Sequence, residues 1–441
     1  MVDVVLFFPK TGMDSVVQLP LSLLCVASTI SDYDVLLVDE RVDRDARETV
    51  EKKGSNAICV GISAMTGMQI RGGLGASEIA KAHTRVVWGG IHPTLEPGQT
   101  LENKSIDIVV RGEGELTFPD LVKSMETGSN LKKVKGIGFK DKAGRKMFTQ
   151  DRGFVNMNDL PDLPYDMLEI EKYITQRDGF KRCLNLQTSR GCPHDCTFCI
   201  NPAYNKRLWR GLTAQKMVDQ TEELKTKYRL DGIVYQEDNF FVSNNRVQEF
   251  CRLMRERNID IGWKANCRIS YLIDKDSVFF ELLEESGCKL LQFGVESGSN
   301  RILQILNKHT NVDQIRAVNG KLGKTRLKCR YNFIVGIPGE SLEEIKTTLK
   351  FINTLKKENS NLESCFVNLY TPWPGTELFQ DSVRKGFIPP RTLEGWASFN
   401  WNETNMPWID SSTAKLLAKI SKEYLTASGY FGPKAGVFRS Q

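Results

Sequence analysis

The chain has 441 residues, 40% of them hydrophobic and 26% charged, as expected for a globular protein of two domains plus an extension. Its 60 basic residues face 54 acidic ones for a net charge of +6 without a basic run, which disfavours a nucleic-acid partner. No apolar stretch approaches the roughly 20 residues of a membrane span, and Asp3 stands where a signal peptide needs a basic start, so a cytoplasmic location is expected.

Residues 1–140 alternate short apolar runs with helical stretches. Val4–Phe8, Val35–Val38, Ile58–Ile62, Val86–Trp88 and Ile108–Val110 each read as a buried strand ending at Gly, Pro, Asp or Ser. They predict an α/β domain with a doubly wound parallel sheet of the Rossmann or flavodoxin-like type, its ligands beyond the carboxyl ends of the strands. Arg71-Gly-Gly-Leu-Gly75 has the wrong spacing for a phosphate-binding turn. Residues 141–182, with Pro and Asp clustered at 158–165, read as a linker.

Residues 183–385 begin a second series. Strands are predicted at Leu184–Thr188, Gly232–Gln236, Ile261–Asn266, Leu290–Val295, Arg330–Val335 and Cys365–Tyr370, with helices such as Gln215–Tyr228 and Glu340–Lys357 between them. Six repeats predict an open, partial (β/α)6 barrel with its site at the carboxyl ends of the strands. Residues 386–441 form an extension ending in an amphipathic helix near Ser412–Thr426. Trp373, Trp396, Trp401 and Trp408 line an apolar pocket or simply cover a core.

Of the 11 cysteines, eight are scattered in apolar runs and read as core residues. The other three, Cys192, Cys196 and Cys199, fall within eight residues directly after a predicted strand. Thiolate is a soft ligand suited to iron–sulfur clusters or zinc. A structural zinc site wants four ligands and a ferredoxin a fourth cysteine. His83, His92 and His309 are distant, and His194 lies inside the loop. Three thiols therefore suggest a cluster with an open iron, beside the alternative of a zinc knuckle.

The spacing C-x-x-x-C-x-x-C, with Phe198 before the last cysteine, resembles the radical S-adenosylmethionine (SAM) signature. The resemblance implies a 4Fe-4S cluster on Cys192, Cys196 and Cys199, its fourth iron chelated by SAM, which one electron cleaves to methionine and a 5′-deoxyadenosyl radical. Further landmarks follow in order at successive strand ends: Tyr235-Gln-Glu-Asp238-Asn239, Trp263-Lys-Ala-Asn266-Cys-Arg268, Phe293-Gly-Val-Glu296-Ser297 and Gly336-Ile-Pro-Gly-Glu340. By that resemblance Phe198, Glu237, Asp238, Asn266, Arg268, Glu296, Ser297 and Gly336 are expected around SAM.

The first domain resembles the cobalamin-binding domain that precedes the radical SAM domain in many such enzymes, on Leu19-Pro-Leu-Ser-Leu-Leu24, Gly61-Ile-Ser-Ala-Met65-Thr66, Trp88-Gly89-Gly90-Ile-His92-Pro and Arg111-Gly112-Glu-Gly. It implies cobalamin against Met65, Thr66, Gly89, Gly90, His92 and Gly112. The D-x-H-x-x-G loop that supplies a histidine to cobalt is missing. His92 is therefore expected beside the cofactor and not on its metal, with Pro93 biasing it toward an extended turn.

Together these resemblances imply a cobalamin-dependent methylase of the class B type that methylates an unactivated carbon of a small-molecule or natural-product substrate. Flavodoxin or ferredoxin would supply the electron. A radical SAM dehydratase, cyclase or rearrangement enzyme whose first domain is a scaffold is the alternative. A tRNA methylthiotransferase fits less well, because the first domain has only Cys25 and Cys59 where that family carries three cysteines.

Overall fold

The structure, a computed structural model, describes residues 2–10, 17–399 and 406–426, with side chains as far as residue 420. Trp401 lies outside the described residues. The chain divides into two compact units, Met1–Tyr173 with Pro389–Asn400, and Ile174–Ile388 with Trp401–Gln441. Among the described residues no helix is long and apolar enough to cross a membrane.

In the first unit, β1 (Val4–Phe8), β2 (Val35–Asp39), β3 (Cys59–Ser63), β4 (Arg85–Gly89), β5 (Ile108–Val110), β6 (Ile137–Lys140) and β7 (Lys146–Phe148) form one sheet in the order β2-β1-β3-β4-β5-β6-β7. β1 to β5 pair in parallel, and β6 and β7 close the edge antiparallel. The parallel strands are nearly continuous apolar runs, as a sheet covered on both faces requires. Strand order reverses between β1 and β3, which opens a crevice at their carboxyl ends. Arg71-Gly-Gly-Leu-Gly75 lies inside the helix Met68–Lys81. A Cβ on Gly73 would come within 2.9 Å of the Trp88 ring, so glycine lets the helix lie flat on the sheet.

In the second unit, β8 (Thr175–Arg177) and β9 (Phe180–Leu186) form a hairpin, and β10 (Ser189–Arg190) pairs antiparallel with β11 (Arg210–Gly211). With β12 (Gly232–Tyr235), β13 (Gly262–Cys267), β14 (Cys288–Glu296), β15 (Lys328–Val335) and β16 (Leu362–Leu369), the main sheet runs β16-β15-β14-β13-β12-β9-β8. Six of these strands are parallel and the edge strands β16 and β8 do not pair, so the sheet is a curled half-barrel as the sequence predicts.

Strand alternation separates its two faces. Tyr235 and Trp263 pack on Phe250 of the helix Asn244–Glu256, with ring centroids 5.5 and 5.7 Å apart, and Tyr331 donates to Asn319 of the helix Val312–Leu322 at 2.8 Å. These side chains mark the outer face. Their strand neighbours Lys264, Asn266, Arg330 and Asn332 therefore face inward. The helix expected from Glu340 starts at Leu342, because Ser341 and Glu344 form a reciprocal capping box. The last helix is Ser411–Thr426.

Candidate active site

The cysteine loop is enclosed by local structure. The two-residue ladder between β10 and β11 ties off residues 191–209 at their base. Gly191 begins the loop at φ +83°, where a Cβ would lie 1.9 Å from the Leu208 carbonyl oxygen, so no other residue fits. Below it, Glu237 is buried and accepts hydrogen bonds from the Thr188 backbone N–H at 2.8 Å and from the Thr188 and Ser189 hydroxyls. Buried Arg246 donates to the Thr188 hydroxyl at 2.6 Å and to the Leu212 carbonyl at 2.8 Å. Asp238 accepts the Gly191 N–H at 2.9 Å.

Each cysteine sulfur has a donor aimed at it. Arg268 Nη1 lies 2.9 Å from Cys196 Sγ, Asn239 Nδ2 lies 3.7 Å from Cys192 Sγ, and the Asn201 N–H lies 3.5 Å from Cys199 Sγ. Such N–H···S contacts favour thiolate over thiol. Burial pushes the metal-free Cys199 thiol up to about 12 and raises Cys192, so ligation displaces protons that the apo loop retains. His194 of the loop is engaged with the Tyr271 hydroxyl at 3.0 Å, and His309, from outside the loop, with Asp195 at 2.8 Å. Among the described residues no group of three or more Cys, His, Asp or Glu converges on a single-ion site. Three thiolates on three different irons of a cubane need no such convergence, and the donor set fits the cluster.

The carboxyl ends of β13 to β15 place the remaining charges. Glu296 takes φ +71° and is buried in an ion pair with Lys308 at 2.8 Å. Lys308 Nζ lies 5.8 Å from the centroid of Phe198, and the Lys308 carbonyl accepts from Arg268. Phe198, Glu296 and Arg268 are thus linked through Lys308. Asn266 donates to the Glu237 carbonyl at 2.9 Å. Ser297 is fully buried against Thr348, with their hydroxyls 3.1 Å apart. Gly336, at φ +79°, donates its N–H to Glu340 at 2.6 Å and accepts from the Trp408 indole at 3.0 Å. Burial raises the Glu340 carboxyl to about 7, against the two backbone N–H groups that lower it. Lys308 and Arg246 carried no signal in the sequence analysis, and Asn239 closes the landmark that begins at Tyr235.

At the carboxyl edge of the first sheet, Gly90 takes φ +100° and a Cβ there would lie 2.9 Å from the Ala64 carbonyl oxygen. A Cβ on Gly112 would meet nothing within 4 Å, and one on Gly89 nothing nearer than 3.8 Å. Met65 and Leu116, on the loops after β3 and β5, are 44% and 45% exposed. Open backbone flanked by exposed apolar side chains suits a large flat ligand. His92 is 0% exposed, its Nδ1 is 3.0 Å from the Thr66 hydroxyl and its ring stands edge-on to Trp396 at 5.9 Å. It is helical and not in the expected extended turn: the helix Ile91–Leu95 starts after Gly90, and Pro93 falls in its first turn, where a missing N–H is harmless. Burial lowers its pKa to about 4, so it is neutral. Trp396 belongs to the first unit and Trp408 to the second.

Residues 186–352 match the Radical SAM superfamily, and residues 16–122 match the B12 binding domain. An uncharacterised methyltransferase of Pyrococcus horikoshii is 29% identical over 94% of this chain and 88% of its own length. The cytidylyl-2-hydroxyethylphosphonate methyltransferase of Streptomyces wedmorensis is 24% identical over 76% of this chain and 68% of its own. The anaerobic magnesium-protoporphyrin IX monomethyl ester cyclase of Rubrivivax gelatinosus is 27% identical over 67% of this chain and 52% of its own. Among solved structures, the cobalamin-dependent SAM radical enzyme OxsB with aqua-cobalamin and SAM superposes with a TM-score of 0.74 at 19% identity, over 95% of this chain and 66% of that one. The radical SAM methyltransferase TsrM of Kitasatospora setae gives 0.70 at 16% identity, over 88% and 76%. Both show the fold. A 4Fe-4S cluster, SAM and cobalamin are the cofactors that these two domains imply, and the donors and open edges described above fit them. The chain thus joins a B12-binding domain, residues 16–122, to a radical SAM domain, residues 186–352, as an enzyme of the radical SAM kind with relatives that match most of its length.

Proposed function

We propose that the protein is a methyltransferase that transfers a methyl group to an unactivated carbon of a small molecule. The observation that supports this reading is that neither imidazole of the first unit reaches the carboxyl edge of its own sheet. His92 is sealed beneath the loops, and His83 follows the helix Met68–Lys81, at the opposite end of the strands. Gly89, Gly90 and Gly112 would hold a corrin, and neither His83 nor His92 would serve it as a ligand. The bound cofactors supply radical generation and methyl delivery.

The chain's own residues have defined parts in this reading. Cys192, Cys196 and Cys199 hold the cluster, and Arg268 and Asn239 stabilise their thiolates. Glu296 with Lys308, next to Phe198, presents a buried carboxylate and ammonium to the complementary groups of SAM. Gly336 offers backbone to the adenine, its conformation fixed by Glu340. Buried Glu237 spends both oxygens on Thr188 and Ser189, so its role is to shape the loop, whereas exposed Asp238 holds Gly191 through one oxygen and can turn the other to SAM. Residues 1–140 and 183–385 correspond to the two cofactor domains. A flavodoxin or ferredoxin is the expected electron donor, in the cytoplasm.

Anaerobically purified protein should contain corrinoid whose Co(II) spectrum lacks splitting from an axial nitrogen, and methyl-labelled SAM should label it. Protein that turns over substrate without corrinoid overturns the methyltransferase reading. The resemblance to the cyclase would then favour a radical SAM enzyme without methyl transfer.

A further inference from the structure

The amino-terminal floor of the half-barrel holds a group of charges that the cofactors do not use. Asp178, at the β8–β9 turn, is 4% exposed and pairs with Lys264 of β13 at 3.2 Å and with Arg330 of β15. Burial alone would raise its pKa, but Lys264, Arg330 and Arg177 together hold it below the usual carboxylate range, so it is an anion. Arg330 also pairs with the rim residue Glu363 at 3.1 Å. Arg177 completes the group. Its side chain is 8% exposed and its nearest charge is Asp178 at 3.8 Å, beyond hydrogen-bond reach. Among the described residues none of its three guanidinium nitrogens has an oxygen acceptor within hydrogen-bond distance, and the group they approach is the buried Cys183 thiol, whose pKa burial raises and Arg177 lowers.

Burying a guanidinium without oxygen acceptors is unfavourable, whereas the other two cations of the group are paired. Asp178 is shared by Lys264, Arg330 and Arg177, and of the three Arg177 stands farthest from it. Lys264 and Arg330 lie on the inward face fixed by the strand register, and Asn266, Gln292 and Asn332, partly exposed on the same face, give it polar walls. Arg177 adds a donor fork that matches a planar oxyanion in geometry and charge.

We propose that Arg177, with Lys264 and Arg330, forms a subsite for a singly charged oxyanion, a carboxylate or a phosphodiester, on the substrate. Calling that molecule the substrate rests on the enzyme reading above; the anion site itself does not. The test follows the Tm of the full-length protein with its cluster reconstituted, titrated with sodium acetate or sodium dimethyl phosphate against chloride at equal ionic strength. Wild-type Tm should rise with at least one of the two. Arg177→Met, which fills similar volume without charge, should weaken that anion about ten-fold or more while keeping the cluster absorbance. Should it lose that absorbance, Lys264→Met takes its place with the same expectation. A response to acetate alone identifies a carboxylate, and one to dimethyl phosphate alone a phosphodiester. A wild type indifferent to both anions, or a folded variant that responds as the wild type does, overturns the subsite. Corrinoid uptake does not enter this measurement, so the methyltransferase reading can fail while the subsite stands.

Discussion

The two units prepare their carboxyl edges by opposite means. In the first, the edge is made by omission, with Gly89 and Gly112 leaving open space where a Cβ would stand, Gly90 packed against Ala64, and Met65 and Leu116 exposed. In the second, it is made by buried charge, with Arg268 on a cysteine sulfur, Glu296 against Lys308, and Glu237 between Thr188, Ser189 and Arg246. A broad corrin gains from close backbone approach and apolar cover, whereas a small zwitterion and a thiolate-bound cluster gain from fixed charges in a low dielectric. The same strand-end location thus serves two recognition chemistries, and substitutions should act on one edge without the other.

The largest effect is expected at the thiols. Changing Cys192, Cys196 or Cys199 to Ala should abolish the visible absorbance of the reconstituted cluster and the release of 5′-deoxyadenosine from SAM, with corrinoid uptake retained. Cys288→Ala should leave the cluster intact, since Cys288 is a core residue 3% exposed. Equal loss from Cys288 would show that the ligand set is misread.

Glu296 comes next. Glu296→Ala should weaken SAM binding by roughly ten- to a hundred-fold, the usual effect of losing a charge-assisted hydrogen bond. It also strands Lys308, at a stability cost of about 3–5 kcal/mol for a broken buried pair. The two effects separate in the double variant Glu296→Gln/Lys308→Met, which should regain Tm without regaining affinity. Recovery of SAM affinity in the double variant would mean that Glu296 acts only by neutralising Lys308.

On the first edge, Gly90→Val should expel corrinoid and spare the cluster. The strain of φ +100° in a β-branched residue, about 1–3 kcal/mol, adds to a Cβ 2.9 Å from the Ala64 carbonyl oxygen. Gly112→Ala, whose Cβ meets no protein atom within 4 Å, probes the ligand more directly. A Gly112→Ala protein with normal corrinoid content would place the corrin away from that loop.

The parallel strands were legible because each is an apolar run closed by a breaker residue. β7 and β8, Lys146-Met-Phe148 and Thr175-Gln-Arg177, were not, since three-residue polar edge strands carry no periodicity. The cysteines were legible by spacing alone. Lys308 and Arg177 were not, because a lysine or arginine in a loop or edge strand reads as solvated surface; their burial follows from partners remote in sequence, Glu296 at the end of β14 and Lys264 with Asp178 at the barrel floor. Pro93 misled because the rule for residues before proline competes with tolerance of proline in a helix's first turn, and the Gly90 start of that helix decides the outcome.

The smallest expected effect concerns pH and belongs to the charged edge alone. Glu340 Oε2 accepts the Gly336 and Ile337 N–H groups at 2.6 and 3.3 Å, while Oε1 is buried without a partner. Burial lifts the carboxyl from 4.5 to about 7 in the folded chain. The folded state therefore holds this proton more tightly than the unfolded one. Stability from this group is fully present below the unfolded value of 4.5 and is lost as pH rises through about 7. Glu340→Gln keeps an oxygen for the two N–H groups and puts an uncharged amide where the unpartnered oxygen lies. It should therefore match wild-type stability near pH 4 and exceed it by a few kcal/mol near pH 8, with the Gly336 N–H still accepted by the side-chain oxygen. Denaturant unfolding at the two pH values checks this, and a variant whose advantage does not grow with pH would show that Glu340 ionises in the fold at its ordinary value. The same titration on Gly90→Val should reproduce the wild-type pH dependence, because that variant leaves Glu340 and its two N–H donors in place.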